Sequence, residues 1–330
     1  MIQKPSSFLI IQTAFLGDVV LATALIEKLK LFHPEASIDF LVRKGNESVL
    51  SGNPHLRNVL IFDKKRKFSN LMALLRQIRK QRYDVVVNVQ RFASSGLLTA
   101  FSGAAYTVGF DKNPFSGLYT KAVSHLLDNS HEIERNQLLI TDFSDHKAAL
   151  PKIYPSPNDQ GIVSEFTRKP FITIAPASIW FTKQWPAHKW ISLIEKAVPK
   201  FNVCILGAAA DVELCTTICS LFPEENVNNL AGRLTLLQSA ALMKEARMNF
   251  VNDSGPMHLA SAMDAPVTVV YCSTIPSFGF GPLSSLKRIV EITGLNCRPC
   301  GLHGYKACPL GHFKCAEDIE VELVWNDLRL

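Results

Sequence analysis

The chain has 330 residues, of which 47% are hydrophobic and 19% charged, and its formal net charge is +6. This length predicts two domains of ordinary size, and the composition excludes a disordered chain. The mild positive charge suits an acidic ligand or a membrane surface and argues against nucleic acid as a partner.

Short apolar runs alternate with helical patterns in the first half of the chain. Strands are predicted at residues 8–12, 37–42, 59–62, 84–90 and 106–110. Residues 68–82 predict an amphipathic helix, because leucine and isoleucine recur there at helical spacing. The run at 84–90 is almost continuously apolar, which is typical of a strand in a parallel sheet. Strands that alternate with helices predict a doubly wound α/β domain.

Gly17 and Asp18 occupy the turn between the first strand and the helix that follows it. The first domain has no G-x-G-x-x-G sequence, so a dinucleotide fingerprint is missing. An aspartate at this turn faces the carboxyl edge of the sheet, where it could act as a general base toward a substrate hydroxyl. The alternative is a plain carboxylate in the first turn of a helix, which the helix dipole favours.

Four prolines, at positions 151, 155, 157 and 170, mark a stretch with little periodicity, which indicates a linker between domains. The alternation then restarts. Strands are predicted at 171–175, 202–207, 248–252, 266–271 and 288–293, and helices at 186–198, 211–221, 235–247 and 316–328. The predicted architecture is two doubly wound domains with a cleft between them, and ligands in such sheets bind beyond the carboxyl ends of the strands.

The stretch Asn252-Asp-Ser-Gly-Pro-Met-His258 predicts a strand end, a tight turn and a new helix. A helix N-terminus offers unpaired backbone N–H groups and partial positive charge, so it can hold a phosphate. Pro256 suits the first helical turn, and Ser254 can cap the helix or donate to a phosphate. The alternative is a capped surface helix without a ligand.

Two further strand ends of the second domain carry polar candidates. Ser178 follows the first of these strands, and Lys183 lies just before the next helix, where an ammonium can reach a phosphate. Asp211 follows the next strand and could hold the hydroxyls of a ribose. Taken alone, Lys183 could be a solvated surface lysine and Asp211 an ordinary helix cap. Together with the turn at Ser254, they predict a site for a nucleoside diphosphate.

All eight cysteines lie after residue 200. The first apolar run makes a poor signal peptide and no run is long enough to span a bilayer, so we expect a cytoplasmic protein with reduced thiols. Cys297, Cys300, Cys308 and Cys315 form a candidate structural site for zinc or iron. The second pair lacks C-x2-C spacing, which favours a set of reduced thiols in a tight loop.

Several short motifs, in this order, resemble the heptosyltransferases of glycosyltransferase family 9. They are Phe15-Leu-Gly-Asp-Val-Val20, Lys183-Gln-Trp-Pro186, Asn229-Leu-Ala-Gly232 with Thr235, and Asn252-Asp-Ser-Gly-Pro-Met-His258. The ending Cys308-Pro-Leu-Gly-His312 with Cys315 is similar to the heptosyltransferase II branch. The resemblance implies a GT-B fold, in which two Rossmann-like domains face each other, with the acceptor site in the first and the donor site in the second.

The resemblance also implies a reaction, which is the transfer of heptose from ADP-heptose to a lipopolysaccharide inner-core or related glycolipid acceptor, with inversion and without a metal or cofactor. Asp18 would be the general base, and Lys183 would bind the donor phosphates and offset charge on the departing ADP. The implied donor-binding residues are Ser178, Asp211, Asp253, Ser254, Gly255 and His258. A protein acceptor, or an ADP-sugar-binding module without catalysis, is the alternative function.

Residues Gln90 and Arg91, at a strand end, are candidates for binding an acidic acceptor, and the basic run Lys64-Lys-Arg-Lys67 could touch an anionic inner membrane. A solvated surface is the alternative for that run. The expected domains are 1–157 for the acceptor, 158–315 for the donor, and a C-terminal helix at 316–330 that packs back on the first domain. We expect a monomer.

Overall fold

The computed structural model describes residues 4–65, 67–126 and 128–325. It divides into two compact units, Met1–Tyr154 and Pro155–Leu330. The boundary expected from the sequence lies just after this division. In the described part of the chain, no helix is both long and apolar enough to cross a membrane.

The described part of the first unit contains six strands and four α-helices. The strands are β1 Ser7–Gln12, β2 Ser37–Arg43, β3 Leu56–Phe62, β4 Val85–Asn88, β5 Tyr106–Phe110 and β6 Lys121–Val123. The helices are α1 Leu16–Phe32, α2 Lys67–Gln81, α3 Ala93–Ala100 and α4 Glu132–Gln137.

All six strands of the first unit form one parallel sheet in the order β3-β2-β1-β4-β5-β6. The central strand β1 is buried almost throughout because helices cover both faces of such a sheet. The strand order reverses between β1 and β4, where Phe8 pairs with Val85. Open α/β sheets bind ligands beyond the carboxyl ends of the strands at such a reversal, so Gln12 and Asn88 mark the position to inspect.

Within residues 155–325, the second unit contains six strands and seven α-helices. The strands are β7 Phe171–Ala175, β8 Asn202–Ile205, β9 Val227–Asn229, β10 Asn249–Asn252, β11 Val267–Tyr271 and β12 Lys287–Glu291. The helices are α5 Pro157–Val163, α6 Ala187–Ala197, α7 Val212–Cys219, α8 Leu236–Glu245, α9 Gly255–Ala262, α10 Lys314–Glu317 and α11 Val321–Trp325.

The second sheet is also parallel and has the order β12-β11-β10-β7-β8-β9. Counted within each unit, both sheets therefore follow the same Rossmann order, 3-2-1-4-5-6. The reversal in the second sheet falls between β7 and β10. These two doubly wound parallel sheets confirm the predicted fold class.

The core of the second unit is built around two tryptophans. Trp185 and Trp190 are fully buried and meet edge to face, with ring centroids 4.9 Å apart. Helix α6 buries Trp190 because its apolar residues recur at helical spacing. On another side of this core, the ring of Trp325 stacks on Phe250. The described part of the C-terminal segment thus packs in the second unit, and residues 326–330 lie outside the described residues.

The elements of the structure differ from the sequence predictions in three places. The strands β6 and β9 and the helices α3 and α4 were missed, because each is short or lacks a clear period. The predicted linker contains α5, which Ser156 caps by accepting a hydrogen bond from the Asp159 N–H. The predicted final helix is two helices, α10 and α11, and Ile319 between them is fully buried.

Candidate functional site

Asn252 joins the two strands at the reversal of the second sheet. Its side chain is fully buried. The Nδ2 group donates to the Pro176 carbonyl at 2.8 Å, and the Oδ1 atom accepts from the Trp185 N–H at 2.9 Å. One amide therefore fixes both ends of the loop that carries Ser178 and Lys183 to the carboxyl end of β10.

Lys183 and Asp253 form an ion pair at this reversal. The Lys183 Nζ atom lies 2.7 Å from the Asp253 Oδ2 atom, and the two side chains are 15% and 9% exposed. The Thr274 hydroxyl donates to the same carboxylate oxygen at 2.6 Å. A lysine stem is flexible, so a buried carboxylate that is itself held by a hydroxyl restricts where the ammonium can lie. The structure thus brings two predicted site residues into direct contact.

The turn after β10 leads directly into α9. Ser254 is the N-cap residue, its backbone is extended, and its side chain does not cap the helix. Its Oγ atom donates instead to the Asn252 carbonyl at 3.3 Å. Gly255 and Pro256 open the helix, and His258, one turn in, is buried. The first turn of α9 consequently offers backbone N–H groups and the positive end of the helix dipole to an anion.

Ser178 and Asp211 lie on neighbouring loops of the second unit. Ser178 is half-buried, and its carbonyl accepts from Gln184 Nε2 at 2.6 Å. The Asp211 Oδ2 atom accepts from the Ala208 N–H at 2.8 Å, so this carboxylate caps the turn after β8. Gly207 lets the chain pack closely here, because a Cβ atom at that position would lie 3.0 Å from the Asp211 Cβ atom.

Sequence reasoning missed Thr274 and Arg298. The Arg298 guanidinium is 5% exposed, pairs with Glu291, and donates to the carbonyls of Thr274 and Ile292. Arg298 thereby fixes the backbone of Thr274, whose hydroxyl holds Asp253. One available signal was the polar pair Ser273-Thr274, which follows Cys272 just beyond β11, because β11 is the neighbour of β10 and its carboxyl end lies close to the turn at Asp253.

Cys297, Cys300, Cys308 and Cys315 are the candidate structural site for zinc or iron. All eight cysteines are free thiols. Across residues 4–65, 67–126 and 128–325, no group of three or more His, Cys, Asp or Glu side chains is arranged to hold a metal ion. Cys315 is buried on α10, and burial, with the neighbouring Cys300 and Cys308, raises its pKa to about 11.

Amide side chains line the carboxyl edge of the first sheet. Gln90 is buried, and its Nε2 group donates to the Gln12 Oε1 atom. The Gln90 N–H donates to Asn88 Oδ1 at 2.9 Å, and Asn113 Nδ2 donates to the Gln90 carbonyl at 2.8 Å. Arg91 is exposed, and its guanidinium lies 5.6 Å from the centroid of the Phe92 ring. Of the two acceptor candidates, Gln90 therefore shapes the edge and Arg91 faces solvent.

Asp18 lies at the third position of α1, near the same edge of the first sheet. The carboxylate is half-buried, and its Oδ2 atom accepts from the Phe15 N–H at 3.2 Å. Its negative charge lies at the positive end of a 17-residue helix. The carboxylate therefore has a defined orientation at a strand end, which a general base requires.

Known proteins resemble the chain over most of its length. The lipopolysaccharide heptosyltransferase 2 of Salmonella typhimurium is 26% identical over 310 residues, which is 87% of this chain and 88% of that protein. The structure of the E. coli ADP-heptose lps heptosyltransferase II matches with a TM-score of 0.82 and 22% identity, covering 98% of this chain and 97% of that chain.

A bacterial iron-containing dodecameric glycosyltransferase, TibC from enterotoxigenic E. coli, matches with a TM-score of 0.62 and 16% identity, covering 98% of this chain and 76% of that chain. At these identities, the two structural matches establish the fold. The sequence signature described as glycosyltransferase family 9 (heptosyltransferase) matches residues 71–307. The resemblance inferred from the motifs is thus confirmed, and the chain belongs to glycosyltransferase family 9 and is a glycosyltransferase.

Proposed function

We propose that the chain transfers a heptose from ADP-heptose to a lipopolysaccharide core or related glycolipid, with inversion at the anomeric carbon. The observation that carries this proposal is the pairing of Lys183 with Asp253 beside the N-terminus of α9. A cation and a helix N-terminus at one strand reversal are the groups that a nucleoside diphosphate requires. The donor and acceptor named for the Salmonella and E. coli relatives support the same choice.

On the donor side, Lys183 and the first turn of α9, with Ser254 and Gly255, bind the two phosphates. As the bond between the anomeric carbon and the phosphate oxygen breaks, negative charge develops on ADP. Lys183 and the helix dipole stabilise that charge. Asp253 keeps the ammonium in place, and His258 supports the turn from inside α9. Asp211 and Ser178, on the loops after β8 and β7, complete the donor set by holding the ribose and a phosphate oxygen.

On the acceptor side, Asp18 is the general base. The acceptor oxygen attacks the anomeric carbon on the face opposite ADP, its proton passes to the Asp18 carboxylate, and ADP leaves with the bonding electron pair. A single displacement of this kind inverts the anomeric centre. Arg91 contributes attraction for an acidic acceptor, and the buried Gln90 keeps its strand end in shape. The chain's own residues supply each of these steps.

We also propose that the reaction takes place at the cytoplasmic face of the inner membrane, where a monomer meets its lipid acceptor. The basic run Lys64-Lys-Arg-Lys67 is the candidate contact with anionic headgroups, although Arg66 lies outside the described residues. Basic side chains near a membrane surface contribute about 1 kcal/mol each. Flotation with vesicles that do or do not contain anionic lipid tests this contact.

The proposed reaction is tested with the full chain, ADP-heptose and a lipid acceptor that carries the inner core. We expect ADP release that depends on the acceptor, a lipid product heavier by one heptose, and an inverted anomeric configuration by NMR. A product of retained configuration would contradict the single displacement. Heptose on protein and not on lipid would establish the protein acceptor instead, and tight ADP binding without any transfer would establish a binding module.

A further inference from the structure

The turn that carries Lys183 packs against a segment rich in cysteine. This turn is a single 3-10 turn, Phe181–Lys183. We call residues 297–315 the cysteine segment, because it contains the last four cysteines. The Thr182 N–H donates to the Tyr305 carbonyl at 3.1 Å, and the Tyr305 N–H donates to the Thr182 Oγ1 atom at 2.7 Å. Thr182 is 1% exposed, so its own atoms in both hydrogen bonds are shielded from water.

A second contact joins the same turn to the far end of the cysteine segment. The ring of Phe181 stacks on the ring of Phe313, with centroids 5.2 Å apart and an interplanar angle of 27°. Phe313 is buried and precedes α10, which carries Cys315. The two contacts involve different residues. The polar one joins Thr182 to Tyr305, and the aromatic one joins Phe181 to Phe313.

A third contact reaches Lys183 itself. Gly304 is buried and has a φ of +79°, a conformation that L side chains rarely adopt. A Cβ atom at this position would lie 3.0 Å from the Lys183 Cγ atom and 2.9 Å from the Thr182 Oγ1 atom. The backbone of the cysteine segment therefore packs against the lysine stem, at a distance that leaves no room for a methyl group.

Ser273, which follows β11, connects the turn and the segment to the sheet. Its hydroxyl donates to the Thr182 Oγ1 atom at 3.0 Å, and its carbonyl accepts from the Cys300 N–H at 2.8 Å. Ser273 is fully buried. The turn, the cysteine segment and the sheet thus share one buried hydrogen-bond network around Thr182.

We propose that the cysteine segment positions Lys183, with Thr182, Gly304 and Phe313 as the positioning residues. The inference rests on the proposed role of Lys183 in binding the donor phosphates. An ammonium on a four-carbon stem loses much conformational freedom when it binds a ligand, and a packed stem on a fixed backbone loses less. The segment therefore raises donor affinity without touching the donor.

The test is the affinity of the full chain for ADP, measured by isothermal titration calorimetry in matched glycine variants. Gly304→Ala brings a methyl group against the Lys183 stem. Gly311→Ala is the control, since Gly311 lies in the same segment with a φ of +72° and has nothing within 4 Å of the added Cβ atom. We expect at least tenfold weaker ADP binding for Gly304→Ala and a change within twofold for Gly311→Ala. Equal changes in the two variants would overturn the proposal.

Variants of Thr182 provide a second measurement. Thr182→Val keeps the shape but removes the acceptor for the Tyr305 N–H, and Thr182→Ser keeps the hydroxyl. We expect Thr182→Val to weaken ADP binding several-fold and Thr182→Ser to bind nearly as the unaltered protein does. A Thr182→Val protein that melts earlier but binds ADP with unchanged affinity would show a purely structural contact and would overturn the proposal.

A double-variant cycle separates this proposal from the proposed function. If Gly304 acts through Lys183, Gly304→Ala should weaken ADP binding in the unaltered chain and have little further effect in Lys183→Met. Additive effects would overturn the positioning role while leaving the donor site intact. If the unaltered chain does not bind ADP, or Lys183→Met binds ADP as tightly, the donor-site proposal fails and the positioning proposal fails with it.

Discussion

The two units have the same strand order, but in each unit a buried carboxylate pairs with a cation at a different end of the strands. In the first unit, the bidentate ion pair of Asp39 and Arg57 lies near the amino ends of β2 and β3, and the carboxyl edge is lined by amides such as Gln12 and Gln90. In the second unit, the pair of Lys183 and Asp253 lies at the carboxyl edge. Topology therefore fixes where a ligand can bind, and the residues at the strand ends decide which ligand.

The two ion pairs therefore have different roles. A pair at the amino ends of parallel strands lies away from the ligand edge, so it contributes to stability. A pair at the carboxyl edge is available to a ligand. The amide-lined edge of the first unit suits the hydroxyl-bearing acceptor that we propose, with Asp18 as the proposed base, whereas the charged edge of the second unit suits the proposed phosphates.

The largest expected effect comes from Asp18→Asn, which keeps an acceptor for the Phe15 N–H but removes the base. We expect the rate constant for heptose transfer to fall by about 10²- to 10⁴-fold, the range for a lost general base. The ADP affinity should not change, because the donor set lies in the other unit. An unchanged rate of heptose transfer would contradict the proposal that the first edge supplies the base and the second edge binds the donor.

Next in size is Lys183→Met, which removes the cation of the charged edge. We expect ADP to bind about 10- to 100-fold more weakly, since charge-assisted hydrogen bonds contribute roughly 1.5–3 kcal/mol. The variant also leaves the buried Asp253 carboxylate without its cation. The double variant Lys183→Met/Asp253→Asn should therefore recover thermal stability without recovering ADP affinity. Recovery of both thermal stability and ADP affinity would mean that Lys183 serves only to neutralise the charge of Asp253.

Arg57→Met tests the pair in the first unit. Burial raises the pKa of Asp39, but the hydrogen bonds from Arg57 and Tyr83 outweigh it, so the folded-state pKa lies below the ordinary value of 3.8. The pair thus stabilises the folded protein above that value, and its contribution is lost as the pH falls through the folded-state pKa. We expect about 2 kcal/mol lower unfolding free energy at pH 7, because the buried carboxylate loses a partner.

The difference between Arg57→Met and the unaltered protein should shrink as the pH falls below about 4, the ordinary pKa of an aspartate. Urea unfolding at several pH values measures it. Lys44→Met is the matched control, since it removes a solvent-screened pair with Asp63 just beyond the ends of β2 and β3, and it should lower stability less than Arg57→Met does. A loss of ADP affinity in Arg57→Met would contradict a purely structural pair.

The smallest effect is expected for Arg91→Ala. Because Arg91 is exposed, its attraction for an acidic acceptor is screened by salt. We expect the KM for the acceptor to rise about three- to tenfold at low salt, with kcat unchanged. Lys80→Ala, which removes an exposed cation from α2, is the control. An equal rise in both variants would mean that only net charge matters.

The sequence allowed the strands at both reversals to be predicted, because buried parallel strands are short apolar runs followed by polar turns. It also placed Lys183, Asp253 and Ser254 at strand ends of one domain. It did not reveal the contacts among them. Thr182 bonds to Tyr305, which is far along the chain, and no period or spacing encodes such a pairing.

The pairing at the centre of each sheet has a consequence for how the chain folds. Phe8 pairs with Val85 in the first sheet, and Asn249 pairs with Thr173 in the second. Each central pair closes a long loop, so its formation is slow, but both partners lie within one unit. During synthesis, the first sheet can therefore close while the second is still being translated, and neither unit needs residues of the other to complete its hydrogen-bond ladder.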